Sequence, residues 1–456
     1  MSIQVVILAA GLGKRMISDS PKIMHPLAGK PLLQHVIDVA LKISPDKKPI
    51  IVYGHQGKVV QDAFAGMPVN FVLQPQQLGT GNAVMCALPS INENDQVLIL
   101  SGDVPLISEE TLQRFIAAVP ANAVGILTAT LTDAKGYGRI IRDKKNQIIR
   151  IVEEKDASAT EILVKEINTG IYLVPARNLK TWLPTLTNDN KQSEYYLTDI
   201  IALAVSHEIP IFDAAPTFPE EIMGVNDRVQ LVALERFYQR QLAHHYLRQG
   251  VTILDPDRFD VRGTLQVGRD VVIDVNVVFT GHVVLGDDCV IGPNCFIKNT
   301  KLDARVKVHA NSYLDGAEVA NDSVIGPYAR LRPGTVLERE VHIGNFVEVK
   351  NSIVREDSKI NHLSYIGDSD IGKFVNIGAG TITCNYDGAK KHKTQIGDHV
   401  HIGSGTKLIA PVSVGNHATI GAGSTIIKDA PANQLTLTQR LEQRSMNWER
   451  PNESSK

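Results

Sequence analysis

The sequence predicts an α/β Rossmann-like domain followed by a left-handed parallel β-helix of hexapeptide repeats, the two joined by a long helix. Three observations predict this: a six-residue aliphatic beat in the C-terminal half, alternating strand and helix patterns in the N-terminal half, and an amphipathic stretch between them. At 456 residues the chain has room for two or three domains, each with its own core.

The beat is plainest at Ile396, Ile402, Leu408, Val414, Ile420 and Ile426, with Gly397, Gly403, Gly415 and Gly421 following four of the six. It runs earlier through Val261, Val267, Ile273, Phe279, Leu285, Ile291 and Ile297, then Ile325, Leu331, Leu337, Ile343 and Val349. A period of six fits neither a helix at 3.6 nor a strand alternating at two. It fits coils whose short strands each send one aliphatic side chain inward, so that stacking buries a continuous column. Chance recurrence does not hold phase over this length.

The totals exclude several classes. A net charge of −2 gives no basic surface for nucleic acid and no acidic tail. The four cysteines (Cys86, Cys289, Cys295, Cys384) form no CxxC, and Cys289 and Cys295 stand one repeat apart, as two buried repeat positions do. Reduced thiols and a cytoplasmic setting are therefore expected. Residues 5–10 lack a basic leader and are too short for a signal sequence. With no apolar run near ~20 residues, no membrane insertion is expected.

In the N-terminal half, residues 5–10 read as a buried strand that runs into Gly11-Leu12-Gly13, with Lys14, Arg15 and Lys22 behind. Met16 stands where a dinucleotide fingerprint needs its third glycine, and Leu8 where a Walker A loop needs its first. What remains is a turn whose backbone N–H groups can approach an anion while the cations neutralise phosphate charge, or else a solvated turn. Helices are expected over 31–41, 59–64 and 83–88, and strands over 49–53, 69–73 and 97–100. Such alternation gives a mostly parallel sheet with ligands outside the carboxyl ends of its strands. Asp103 sits at such an end, placed either to hold Mg²⁺ against phosphate oxygens or simply to turn the chain before Pro105. Gln74 with Gly79-Thr80-Gly81 could meet a base edge or cap a helix. Tyr137-Gly138-Arg139, Glu153 and Asn168-Thr169-Gly170 read as later loops.

Leu231, Leu234, Tyr238, Leu242 and Tyr246 fall at helical spacing and Gly250 follows as a stop, predicting a helix over 229–249 between domains 1–228 and 250–456. Asn226 or Asp227 could cap it, with Gln230 behind. In the β-helix the beat breaks over 361–368 and again over 376–388, and the basic run Lys390-Lys391-His392-Lys393 follows. Arg330, Arg332 and Lys350 offer cations for a sugar phosphate. His362, beside Tyr365, is a base suited to neutral pH for acyl transfer to an amine. One histidine among fourteen carries no role by itself.

Taken together, Leu8-Ala9-Ala10-Gly11 with Arg15-Met16, Pro21-Lys22, Gln77–Gly81, Gly102-Asp103-Val104-Pro105, Gly136–Ile140, Glu153, Asn168-Thr169-Gly170 and Gly224-Val225-Asn226 follow the order of the sugar-1-phosphate nucleotidyltransferases. With the β-helix attached, the chain resembles the bacterial bifunctional N-acetylglucosamine-1-phosphate uridylyltransferase/glucosamine-1-phosphate acetyltransferase family up to about residue 430.

The resemblance implies an α/β Rossmann-like nucleotidyltransferase domain. In it Leu8, Ala9, Ala10, Gly11, Gln74, Gly79, Thr80, Ser101 and Gly102 would bind UTP, and Arg15 and Lys22 would act on its phosphates. Asp103 and Asn226 would hold Mg²⁺, while Gly138, Glu153 and Asn168 would bind N-acetylglucosamine. No protein nucleophile is needed, because the attacking sugar phosphate is already an anion. In the β-helix His362 would be the general base, and Arg332, Lys350, Tyr365 and Asn376 would bind glucosamine-1-phosphate. Ala379, Asn385, Tyr386, Ser404, Ala422 and Arg440 would contact acetyl-CoA; Cys384 would only pack. The resemblance also implies a homotrimer with acetyl-CoA sites between subunits. Lys14 and Ser101 depart from the usual Thr and Tyr, beside Arg15 and Asp103. Two other readings stand: a nucleotidyltransferase with a merely structural β-helix, and a non-catalytic assembly protein. The tail after Arg440 is expected to be poorly ordered.

Overall fold

The computed structural model describes residues 2–11, 13–54, 57–438 and 445–447. Arg440 and most of the tail lie outside these residues, as does Leu12. The chain divides into two compact units, Met1–Gln241 and Leu242–Lys456.

The first unit is a sheet in the order Ile211–Ala214, Val124–Thr130, Glu166–Pro175, Gln96–Ser101, Ile3–Ala9, Ile50–Tyr53, Asn70–Leu73. The last four strands are parallel in the Rossmann order, with the first strand of the chain between the second and the fourth. Glu166–Pro175 runs antiparallel to both neighbours, so the sheet is mixed. Both faces are covered, which is why the first strand reads as an unbroken apolar run. Val5, Ile7 and Ala9 face a core with Leu33, Val36 and Ile37 of the helix Leu32–Ile43 and Phe115 of Glu109–Ala118. Val6 faces the opposite core with Val84, Leu179, Trp182 and Ile200.

In the second unit the hexad residues turn inward as expected. Ile273, Phe279, Ile291, Ile325, Leu331, Ile402 and Leu408 are completely buried in one continuous core, and Val267 is half-buried against it. Strands stack in parallel ladders, each pairing with its counterpart one coil later. Ile343 pairs with Ile360, Ile360 with Ile377, Ile377 with Ile402, and Ile402 with Ile420. From Ile273 to Ile420 the coils are thus 17 or 18 residues long, except that from Ile377 to Ile402, which takes 25. The extra residues form a loop closed by an antiparallel bridge between Tyr386 and Lys391, and they account for the break in the beat over 376–388. Cys289 and Cys295 are buried free thiols that donate to the Asp303 and His309 carbonyls. Burial pushes the Cys295 thiol up to about 11, so it packs as an inert apolar group.

The helix joining the sequence halves spans Arg228–Arg248. The Asp227 side chain caps its start, accepting from Gln230 N at 2.9 Å. At its end Gly250 N donates to Leu247 O and Val251 N to Tyr246 O, a Schellman closure that needs the φ of +91° found at Gly250. Among the described residues no helix is long and apolar enough to cross a membrane.

Candidate functional site

The first candidate site grows from two adjacent parallel strands. Leu8 pairs with Ser101, and Gly102 N donates to Leu8 O at 2.9 Å, so the glycine turn and Asp103 emerge side by side at the carboxyl edge of the sheet. Between them opens a cavity of about 490 Å³ lined by Leu8, Ala9, Ala10, Gly11, Arg15, Lys22, Gln74, Gly79, Thr80, Ser101, Asp103 and Asn226, together with Gln77 and Glu194. The expected nucleotide residues therefore converge in space, except Gly102, which does not line the cavity. Gly79 is fitted closely: a Cβ there would lie 2.7 Å from Tyr195 O. Gly81 N donates to that same carbonyl, and Thr80 Oγ1 accepts from Leu197 N at 3.1 Å. Gln74 is buried, its amide nitrogen donating to Gly79 O and Asn82 Oδ1, which leaves its oxygen for a ligand.

The N-cap position is taken by Asp227, so the Asn226 side chain is released from capping. Lys22 Nζ donates to Asn226 Oδ1 at 3.2 Å and forms a short ion pair with Asp103 Oδ2. Val225 N donates to Asp103 O at 2.9 Å, tying the two ligand-bearing segments together. One carboxylate and one amide oxygen converging on a cation suit Mg²⁺, which takes hard oxygens and leaves its other positions to phosphates and water. Among the described residues no cluster of three or more His, Cys, Asp or Glu forms a metal site.

Gly138, Glu153 and Asn168 form a second group, apart from the lining of that cavity. A Cβ on Gly138 would lie 3.6 Å from both Asn168 Cβ and Glu153 Oε1, and Asn168 N donates to Gly138 O. Asn168 lies in the strand Glu166–Pro175 rather than in a loop, at a register shift before Tyr172. Tyr172 Oη and Gly170 N both donate to its Oδ1. Burial raises the Glu153 carboxyl above its usual range.

The second candidate site is a column on the β-helix. Two positions beyond Ile343, Ile360, Ile377, Ile402 and Ile420 stand Asn345, His362, Ala379, Ser404 and Ala422, one per coil. The expected base and three expected acetyl-CoA contacts thus share one edge. His362 Nδ1 lies 2.9 Å from Asn345 Oδ1. With that oxygen as acceptor, Nδ1 carries the proton and Nε2 keeps its lone pair for a substrate. Leu363 then takes φ +48°, turning the chain so that Tyr365 begins the next ladder.

On that ladder Arg332 and Lys350 occupy one column, because Leu331 pairs with Val349, and Lys350 pairs with Gly367. Arg332 is held by Glu348 at 2.7 Å and Lys350 lies 3.8 Å from Asp368. Asn385 donates to the same Asp368, which places the expected acetyl-CoA contact beside the expected sugar-phosphate lysine. Asn376 meets His401 at 3.3 Å, and Tyr386 Oη donates to Gly388 O.

Two residues here were not foreseen. Asn345 orients His362 from one coil away, a relation legible only once coil length is known. Lys391 comes up against Lys350, whose side-chain contact and like charge hold its pKa below the usual lysine value. A cavity of about 440 Å³ beside them is lined by Asn351, Asp368, Lys391 and Lys393, among others.

An NTP-binding α/β fold and a hexapeptide β-helix in one chain define a two-domain transferase. Residues 5–163 match the MobA-like NTP transferase domain, 261–345 the GMPPB C-terminal domain and 393–428 the bacterial transferase hexapeptide repeats. Proteins titled "Bifunctional protein GlmU" are 52% identical over 454 residues in Bordetella parapertussis (98% of this chain, 99% of the relative). The same title and identity hold over 452 residues in Cupriavidus pinatubonensis (99% of both chains). The chain belongs to the bifunctional GlmU family.

Proposed function

We propose that this chain makes UDP-N-acetylglucosamine in two steps at two separate sites. In the first, the amine of glucosamine-1-phosphate attacks the thioester carbonyl of acetyl-CoA. His362 Nε2 takes the amine proton, the C–S bond breaks, and coenzyme A leaves as a thiol. Arg332, Lys350, Tyr365 and Asn376 hold the sugar phosphate, with Lys391 added. Ala379, Asn385, Tyr386, Ser404 and Ala422 line the path of acetyl-CoA, and the small side chains of Ala379, Ser404 and Ala422 leave room along the His362 column. In the second step a phosphate oxygen of N-acetylglucosamine-1-phosphate attacks the α-phosphorus of UTP and pyrophosphate leaves. Arg15 and Lys22 offset the charge that builds on the phosphate oxygens. Asp103 and Asn226 would hold Mg²⁺, which when bound would supply charge neutralisation at the same oxygens.

Residues 1–228 carry the uridylyl transfer, 250–456 the acetyl transfer, and 229–249 connect them. The protein works in the cytoplasm as a homotrimer assembled through its β-helix.

The observation that carries the reading is the ordered column Asn345–His362–Ala379–Ser404–Ala422, which a purely structural β-helix does not need. The test is product formation from UTP, acetyl-CoA and glucosamine-1-phosphate, followed by mass spectrometry. UDP-N-acetylglucosamine should accumulate with matched release of thiol and pyrophosphate. Pyrophosphate release from N-acetylglucosamine-1-phosphate without any thiol release would leave a nucleotidyltransferase on a scaffold.

A further inference from the structure

The place between Asp103 and Asn226 is filled by a cation of the protein's own. Lys22 Nζ reaches Asp103 Oδ2 and Asn226 Oδ1 together, and the Lys22 side chain is only 11% exposed. Its stem lies against the glycine turn, where a Cβ on Gly13 would come within 2.6 Å of Lys22 Cβ. The two segments that carry the pair are tied together at the main chain, Val225 N donating to Asp103 O, and the Asp227 cap fixes the start of the helix beside Asn226.

We propose that Lys22 gates the metal: its ammonium occupies the Asp103–Asn226 pair until a polyphosphate draws it away. This rests on the reading of that pair as the Mg²⁺ site. A divalent ion seated on the same two oxygens would stand within a few ångströms of the ammonium, and two like charges that close, with little water between them, repel strongly. Lys22 must therefore leave for the ion to enter. A buried ammonium that leaves two oxygens needs new anionic partners. The nucleotide phosphates in the cavity that Lys22 also lines supply them. Metal and nucleotide then bind as a coupled pair, and the nucleotide-free protein is kept from loading a divalent ion. Lys22 is thus a positioning residue for the metal before it acts on the phosphates.

The test is Mn²⁺ binding to the full-length protein without nucleotide, read from the loss of the free-ion EPR signal, with folding checked by circular dichroism. Lys22→Met, nearly isosteric and uncharged, should bind Mn²⁺ at least tenfold more tightly than wild type, and adding Asp103→Asn should abolish the gain. Arg15→Met, which removes equal charge from the same cavity without touching the pair, should change affinity far less. Equal, Asp103-dependent affinity in wild type and Lys22→Met overturns the gate and leaves the metal site standing. A gain in Arg15→Met as large as in Lys22→Met also overturns it, since the effect would be a diffuse field. No Asp103-dependent binding in Lys22→Met overturns the gate and the metal site together. Lys22→Gln provides a second variant should Lys22→Met fold poorly.

Discussion

Gly378 stands between the core residue Ile377 and the edge residue Ala379, and its missing side chain sets the spacing of the His362 column. A Cβ there would lie 2.6 Å from both Ile402 O and Ser404 N and 2.8 Å from Gly403 C, all main chain of the next coil. No flexible side chain can yield, so in Gly378→Ala the coils must part by about 0.8 Å to restore an ordinary 3.4 Å contact (3.4 − 2.6). Strands in a ladder stand ~4.8 Å apart. That opening would carry the bonds Gly378 N to Ile402 O, now 2.8 Å, and Gly405 N to Ala379 O, now 2.7 Å, to the limit of hydrogen bonding. Two weakened bonds at ~1 kcal/mol each, with ~1–3 kcal/mol of overpacking, give a loss of about 3–5 kcal/mol. Each coil contacts only its neighbours, so the damage stays local. A shift near 1 Å between reacting groups can lower a rate ~100-fold. Acetyl transfer should accordingly fall by about that factor in kcat/KM, and urea unfolding of the full chain should begin earlier. Uridylyl transfer should be unchanged. Gly66→Ala, where a Cβ meets nothing within 4 Å, should alter neither activity. Wild-type acetyl transfer and stability in Gly378→Ala would refute the coil-spacing argument.

Three further predictions follow from the same geometry. Asn345→Ala should lower the acetyl-transfer kcat by about tenfold with little change in the KM for acetyl-CoA, because Asn345 fixes the ring of the base and not the thioester; an unchanged kcat would remove Asn345 from the mechanism. Lys350 lowers the Lys391 pKa, so Lys391 loses its proton below the ordinary lysine range near ~10.4. A bound phosphate favours the charged form, so the KM for glucosamine-1-phosphate should rise as alkaline pH discharges Lys391, and Lys391→Met should flatten that rise. Asp227→Ala should destabilise the first unit by ~1 kcal/mol through loss of the cap on Gln230 N, read as a lower urea midpoint at unchanged slope.

The β-helix was legible because its signal is one-dimensional: a six-residue beat survives any register, and every hexad residue named from the sequence is buried or half-buried in one core. The columns were not legible. They depend on coil lengths of 17, 18 and 25 residues, and a single insertion at 385–393 breaks the count. Asn345 therefore escaped notice although it pairs with His362. Lys391 was visible only as part of a basic run. In the first unit the apolar runs marked the parallel strands, but Glu166–Pro175 hid behind Asn168-Thr169-Gly170, which carries turn residues at a strand irregularity. Asn226 and Asp227 are equally plausible caps in the sequence, and the side chain that takes the cap is that of Asp227.

The central claim is that one chain holds two chemically independent sites, and reciprocal substitution tests it most directly. Thiol release from acetyl-CoA with glucosamine-1-phosphate and pyrophosphate release from UTP with N-acetylglucosamine-1-phosphate would be measured on the same preparations of wild type, His362→Ala and Asp103→Asn. His362→Ala should lose thiol release by a factor of ~10²–10⁴ and keep pyrophosphate release. Asp103→Asn should do the reverse. Loss of both activities in either variant, or survival of thiol release in His362→Ala, would contradict the account.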